Sequence, residues 1–163
     1  MNRSPWIRLL ALAACLPWPA DAQTCQVTAT PLAFGPYAAP HGPRVDSSAT
    51  VQVQCSPAYL LLGCQVSYSL SLSAGLSPAG GHRHLRAGTA TLPYTLHSDP
   101  ARSQPWGDGS ELGPPVAGRV STSLLGLVCL PGNRVHTLYG RIPGGQNVPP
   151  GGYADQLVLT VTY

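Results

Sequence analysis

Apolar and polar residues alternate with period two from one end of residues 23–163 to the other, and no window sets apolar residues at helical spacing behind a cap. Successive side chains on a strand point to opposite faces, so a chain written this way buries itself as sheet. Thr50-Val-Gln-Val-Gln-Cys55 puts Val51, Val53 and Cys55 on one face, and Cys64-Gln-Val-Ser-Tyr-Ser-Leu-Ser-Leu72 does the same for Cys64, Val66, Tyr68, Leu70 and Leu72. Thr91-Leu-Pro-Tyr-Thr-Leu96 turns Leu92, Tyr94 and Leu96 inward. Pro93 has no amide hydrogen to give a ladder, so it is expected to face outward at an edge or bulge. Arg134-Val-His-Thr-Leu-Tyr-Gly-Arg-Ile142 is a weaker strand, and Gln156-Leu-Val-Leu-Thr-Val-Thr-Tyr163 alternates most clearly, through Leu157, Leu159, Val161 and Tyr163.

Between these strands the chain is punctuated by turn signals: Gly35-Pro, His41-Gly-Pro, Ser77-Pro-Ala-Gly-Gly81, Trp106-Gly-Asp-Gly109, Gly113-Pro-Pro115 and Asn147-Val-Pro-Pro-Gly-Gly152. Glycine and proline number 18 each, which leaves few residues for helices. Short strands with turns every 8–12 residues or so indicate a sandwich or a barrel. No repeat of about 20–50 residues and no low-complexity linker is present, so residues 23–163 read as one domain.

The first residues read differently. Arg3 and Arg8 precede an apolar run from Leu9 to Leu16, and Ala20-Asp-Ala22 follows, the charged, apolar, small-residue order of a secretory leader cleaved before Gln23. Leu12-Ala-Ala-Cys15 also reads as a lipoprotein box with Cys15 as the lipidated residue, so two processing routes stand open. The run is too short for a bilayer, which needs about 20 residues of helix, and no membrane span is expected. Export leads to an oxidising compartment, where Cys25, Cys55, Cys64 and Cys129 belong in disulfides. Four cysteines permit three connectivities, and spacing selects none of them.

Charge excludes whole classes of partner. Only 9% of residues are charged, lysine is absent, and removal of Arg3, Arg8 and Asp21 with the leader leaves seven arginines against five acids. The arginines are scattered, which suits neither a nucleic-acid stripe nor an anionic membrane surface. Catalytic signals are equally thin. Ser110, between Gly109 and Glu111, lacks the flanks of a nucleophile elbow. Asp99, Asp108, Glu111 and Asp155 sit in turns, where bonding to nearby backbone is the ordinary role of a carboxylate. His82-Arg-His84 sets two imidazoles on one side of an extended segment without a third ligand, and reads as a solvated loop beside Gly80-Gly81. No enzyme, cofactor or metal site is expected. Trp106 is expected to cover an end of the sandwich rather than stack on a sugar, and Phe34, Tyr139 and Tyr153 are expected to anchor the core.

Taken in order, Cys25, Phe34-Gly-x-Tyr37, the strand closing at Cys55, Tyr68-Ser-Leu-Ser-Leu72 with Gly75, Arg83-x-Leu85, Leu92-x-Tyr94-x-Leu96, Asp99, Trp106-Gly-Asp-Gly109, Tyr139-Gly-Arg-Ile142 and Gly152-Tyr-x-Asp155 resemble the spore coat U domain family, which includes subunits of archaic chaperone–usher pili. Cys64, Cys129 and the apolar stretch Ser121-Thr-Ser-Leu-Leu-Gly-Leu-Val-Cys129 depart from that pattern. The resemblance implies an all-β, incomplete immunoglobulin-like β-sandwich, pilin-like and lacking the last strand, with Cys25 bridged to Cys55 and Cys64 left to Cys129. At about 3–4 kcal/mol, each bridge would supply much of a small domain's stability.

The sequence ends at Tyr163, on the strand that should precede the last, and the resemblance implies that the gap is an apolar groove along Leu157, Leu159, Val161 and Tyr163. A periplasmic chaperone would fill it first and another pilus or coat subunit later, by strand addition, after passage to an outer-membrane usher. The expected function is that of a structural subunit of a bacterial surface fibre or coat, exported through the periplasm to the cell surface and acting in adhesion or biofilm formation. A free-standing, secreted, lectin-like binding protein is the alternative. With only Gln23 and Thr24 ahead of Cys25, the subunit is expected to accept a strand without donating one, and so to sit at a terminal place, such as a fibre tip, or to form a coat layer by another contact.

Overall fold

The structure is a computed structural model that describes residues 23–56, 64–121, 123–124 and 128–163. The expected leader, Cys15 included, lies outside the described residues. The described chain is all-β. Its strands are β1 (Thr24–Ala29), β2 (Val45–Ser56), β3 (Gln65–Leu72), β4 (Arg83–Ala87), β5 (Ala90–His97), β6 (Val116–Ser121), β7 (Ser123–Leu124), β8 (Val128–Cys129), β9 (Gly132–Ile142) and β10 (Leu159–Thr162).

Two sheets face each other. The larger runs β1-β2-β9-β5-β4 and the smaller β10-β3-β6, with β7 and β8 as a separate hairpin, and every pairing is antiparallel. Alternation supplies the core directly: Val51 and Val53 of β2, Val66, Tyr68, Leu70 and Leu72 of β3, and Leu92, Tyr94 and Leu96 of β5 are all buried between the layers. Trp106 is fully buried, and its indole N–H donates to Leu70 O at 3.0 Å, so it closes the core and offers no face to a sugar. Disulfides join Cys25 to Cys55, across the directly opposed β1–β2 pair, and Cys64 to Cys129.

Three expectations are corrected. His82-Arg-His84 is no solvated loop: Arg83 opens β4 and is 2% exposed, because its guanidinium finds three backbone carbonyls inside the sandwich. Tyr139 does not anchor the core, since it lies on the outer side of β9, where the Arg102 guanidinium stacks 5.7 Å over its ring. Tyr163 is 51% exposed, so inward packing along the terminal strand stops at Val161. Pro93 lies beyond Thr95–His97, the part of β5 paired with β9, and its carbonyl accepts from the Gln146 side chain at 3.2 Å.

Candidate functional site

Among the described residues, β1 pairs only with β2 and β10 only with β3, so the two sheets each leave an edge bare on the same side of the sandwich, where β1 and β10 approach without bonding. Burial follows that opening. Inward residues of β2, β3 and β5 are buried, whereas Val27 of β1 and Leu157, Leu159 and Val161 along the terminal segment are only half-buried.

Separately from this edge, the sandwich opens into a groove of about 1200 Å³ that no residue of β1 or β10 lines. One wall is the connection from β1 to β2, residues 32–40; the other is the approach to β10, residues 147–155; Leu85, Leu92 and Ile142 line the space between them. The first wall rests on the large sheet because Gly140 of β9 has no side chain: a Cβ there would come within 2.7 Å of both Leu32 and Phe34. Phe34 meets Tyr94 edge-on, with ring centroids 5.9 Å apart. Ser47 Oγ donates to Ala33 O at 2.6 Å, and the Tyr37 hydroxyl donates to Pro143 O while accepting from Gln146 N at 2.8 Å. Side chains therefore hold this wall in place, and its end, residues 39–41, forms a turn.

The second wall is clipped to β4 by the paired amides and carbonyls of Arg86 and Ala154, and Tyr153 donates to Pro149 O at 2.8 Å. Asp155 fixes its lower end. The Tyr94 hydroxyl donates to Asp155 Oδ2 at 2.7 Å, and Oδ1 accepts the amides of Leu76 and Gln156. Burial, and then the bond to Asp155, push the Tyr94 phenol far above its usual range, so it stays a donor at every physiological pH. Beneath, Arg83 donates Nε to Ser73 O, Nη1 to Trp106 O and Nη2 to Leu72 O, at 2.9 to 3.1 Å. Burial lowers its pKa, and the charges of Asp108 and Asp155 oppose that shift.

Of the residues expected to line a groove, Leu157, Leu159 and Val161 continue the second wall downward and Tyr163 lies at its exposed end, but none borders the open volume. The first connection supplies the opposite wall, and no alternation marks it in the sequence. Among the described residues no group of three or more His, Cys, Asp or Glu is arranged to hold a metal, and no helix is long and apolar enough to cross a membrane. The groove is lined mostly by apolar side chains, with Tyr37, Asn147, Tyr153 and Asp155 among them.

These features define an open, immunoglobulin-like β-sandwich. The chain belongs to the Spore Coat Protein U domain family, whose model matches residues 11–160. It is 36% identical over 130 residues to Protein U of Myxococcus xanthus, a match that spans 75% of this chain and 63% of that protein. Its fold resembles a chain in the CsuC–CsuE chaperone–tip adhesion subunit pre-assembly complex from archaic chaperone–usher Csu pili of Acinetobacter baumannii, at a TM-score of 0.54 and 21% identity, over 87% of this chain and 40% of that one. A chain in a chaperone–tip adhesin complex of CFA/I fimbriae biogenesis aligns at a TM-score of 0.42 and 15% identity, over 83% of this chain and 41% of that one, a likeness that carries no argument. The chain thus spans less than two thirds of each of these relatives.

Proposed function

We propose that this chain is a structural, non-catalytic subunit of a bacterial surface coat or fibre whose sandwich is completed by a strand from a partner. The observation that carries the reading is the groove of about 1200 Å³, bounded by residues 32–40 and the approach to β10 and floored by Leu85, Leu92 and Ile142. An extended segment laid there would gain main-chain hydrogen bonds from the walls and bury alternate side chains against Leu85, Leu92 and Ile142. Membership of the coat-protein family and the fold shared with a chaperone–usher complex support the same reading.

In this account residues 1–22 direct export and are removed, a periplasmic chaperone first covers the groove, an outer-membrane usher receives the subunit, and another subunit replaces the chaperone at the surface, in adhesion or biofilm formation. Such a subunit is unstable alone in the periplasm. Expression with and without a cognate chaperone tests this: a one-to-one complex should co-purify, and the chain should be degraded when the chaperone is absent. Full yield of a stable monomer without any chaperone would overturn the reading.

A further inference from the structure

We propose that the outer face of the five-stranded sheet binds the acidic groups of a polysaccharide, at a cationic corner formed by Arg44, Arg102 and Arg141. This surface is separate from the groove, and the inference does not rest on strand acceptance.

Three guanidinium groups converge there on one carboxylate. Arg141 donates Nε and Nη2 to Asp46 at 2.7 and 2.9 Å, Arg102 Nη1 lies 3.5 Å from it, and Arg44 Nε lies 3.7 Å away. One carboxylate cannot neutralise three cations. The neighbouring acid, Asp99, directs its oxygens to the amides of Ser103 and Gln104 and to the Ser103 hydroxyl, and so closes its own loop. The Arg44 side chain is 66% exposed, so most of its guanidinium faces solvent beyond its 3.7 Å approach to Asp46. A guanidinium fork of this kind matches a carboxylate or sulfate with two parallel hydrogen bonds.

Arg102 is held in position for the same task. It stacks over Tyr139, donates Nε to Gly140 O and Nη1 to Pro100 O, and adopts φ +58°, a left-handed conformation rare for a long side chain. These contacts set its guanidinium on the sheet beside Asp46.

The rest of the face suits sugar hydroxyls. By register, Ser48, Thr50 and Gln52 of β2 lie beside Tyr139, Thr137 and Val135 of β9, with Thr95 of β5 next to Arg141. Hydroxyls and amides that both donate and accept thus extend from the cationic corner. A hydroxyl-rich chain bearing acidic groups at intervals complements this face. Nucleic acid complements it less well, because the charge forms a corner rather than a stripe and Arg102 already covers the Tyr139 ring.

Binding of the exported protein to polygalacturonate, with neutral dextran as the blank and dextran sulfate as a sulfate-bearing probe, tests the proposal at an ionic strength of about 0.15 M. Arg44→Gln should weaken binding about tenfold without moving the melting temperature. Asp46→Asn should tighten it, because the competing carboxylate is gone; a merely structural ion pair would give no gain. Arg119→Gln, on the exposed side of β6 in the other sheet, should change nothing. Retention of dextran sulfate but not polygalacturonate would support the proposal and assign the acidic group as sulfate. Equal binding by wild type and Arg44→Gln, equal loss with Arg119→Gln, or no retention of either acidic polymer would overturn it.

Discussion

Asp155 ties together three parts of the chain that lie far apart in sequence: the Tyr94 hydroxyl, the Leu76 amide and the start of the terminal segment at Gln156. Gly75 makes room for it, since a Cβ there would collide with the carboxylate and its φ of +85° disfavours any side chain. Gly75→Ala should therefore cost more than Tyr94→Phe, which removes one hydrogen bond worth about 1 kcal/mol, and urea midpoints should fall in that order. The reverse order would contradict this role for Asp155. A second residue-scale effect concerns His136, whose Nε2 lies 2.6 Å from the Tyr68 hydroxyl across the two sheets. Burial, helped by Arg134, holds the His136 pKa below its ordinary value, and burial does the same for His97. The unfolded chain therefore takes up these protons first, at about pH 6.5, so stability is whole above that pH and is lost as the pH falls through it toward the folded values. The denaturation midpoint should drop between pH 7 and 5, and His136→Gln should flatten the drop without abolishing it; an unchanged midpoint over that range would count against the buried imidazoles. Gly75 and Asp155 stood out in the sequence as motif residues, but their contact spans 80 positions and has no local signature. Arg83 was misread for a related reason: its partners are backbone carbonyls, which leave no mark in a sequence.

At the scale of elements, the strands legible in advance are those whose inward positions are uninterrupted, β2, β3, β5 and the terminal strand, with β9 weaker because Gly140 breaks its inward row. The others hide their pattern for identifiable reasons. β4 opens with an inward arginine, and β6 carries Gly118 between Val116 and Val120 because the Tyr68 ring occupies the space that a side chain would need. β1 has only Cys25 and Val27 inward and was legible through the resemblance alone. Deleting residues 157–163 removes Leu157, Leu159 and Val161, each worth up to about 1.5–3 kcal/mol when fully buried and less at this half-open edge. The truncated chain should fail to accumulate, and normal yield with an unchanged melting temperature would show that the strand adds little to the core. The two disulfides close loops separated by 30 and 65 residues, which on the chain-entropy model stabilises by about 4 kcal/mol each. Intact mass of exported material should rise by four hydrogens on reduction, whereas free thiols before reduction would contradict the paired state.

The molecule as a whole is an open sandwich, and its groove was only half legible. Alternation along Leu157, Leu159 and Val161 located one wall's continuation, but the other wall is an irregular connection held by Tyr37, Ser47 and the missing side chain of Gly140, so no periodicity announces it. The central claim is that a partner's strand lies between residues 32–40 and the segment leading into β10. Amide hydrogen exchange reads this directly, because backbone groups that now face solvent would become ladder donors. The protein should be compared alone and with a peptide of about a dozen residues from a neighbouring subunit, its apolar positions alternating so as to run the length of the groove at about 3.3 Å per residue. The account predicts that amides between residues 32 and 39, and those along residues 153–162 not already bonded within the free protein, slow markedly while the outer face of the large sheet is unchanged. Exchange that stays the same at both walls in the presence of bound peptide would contradict it.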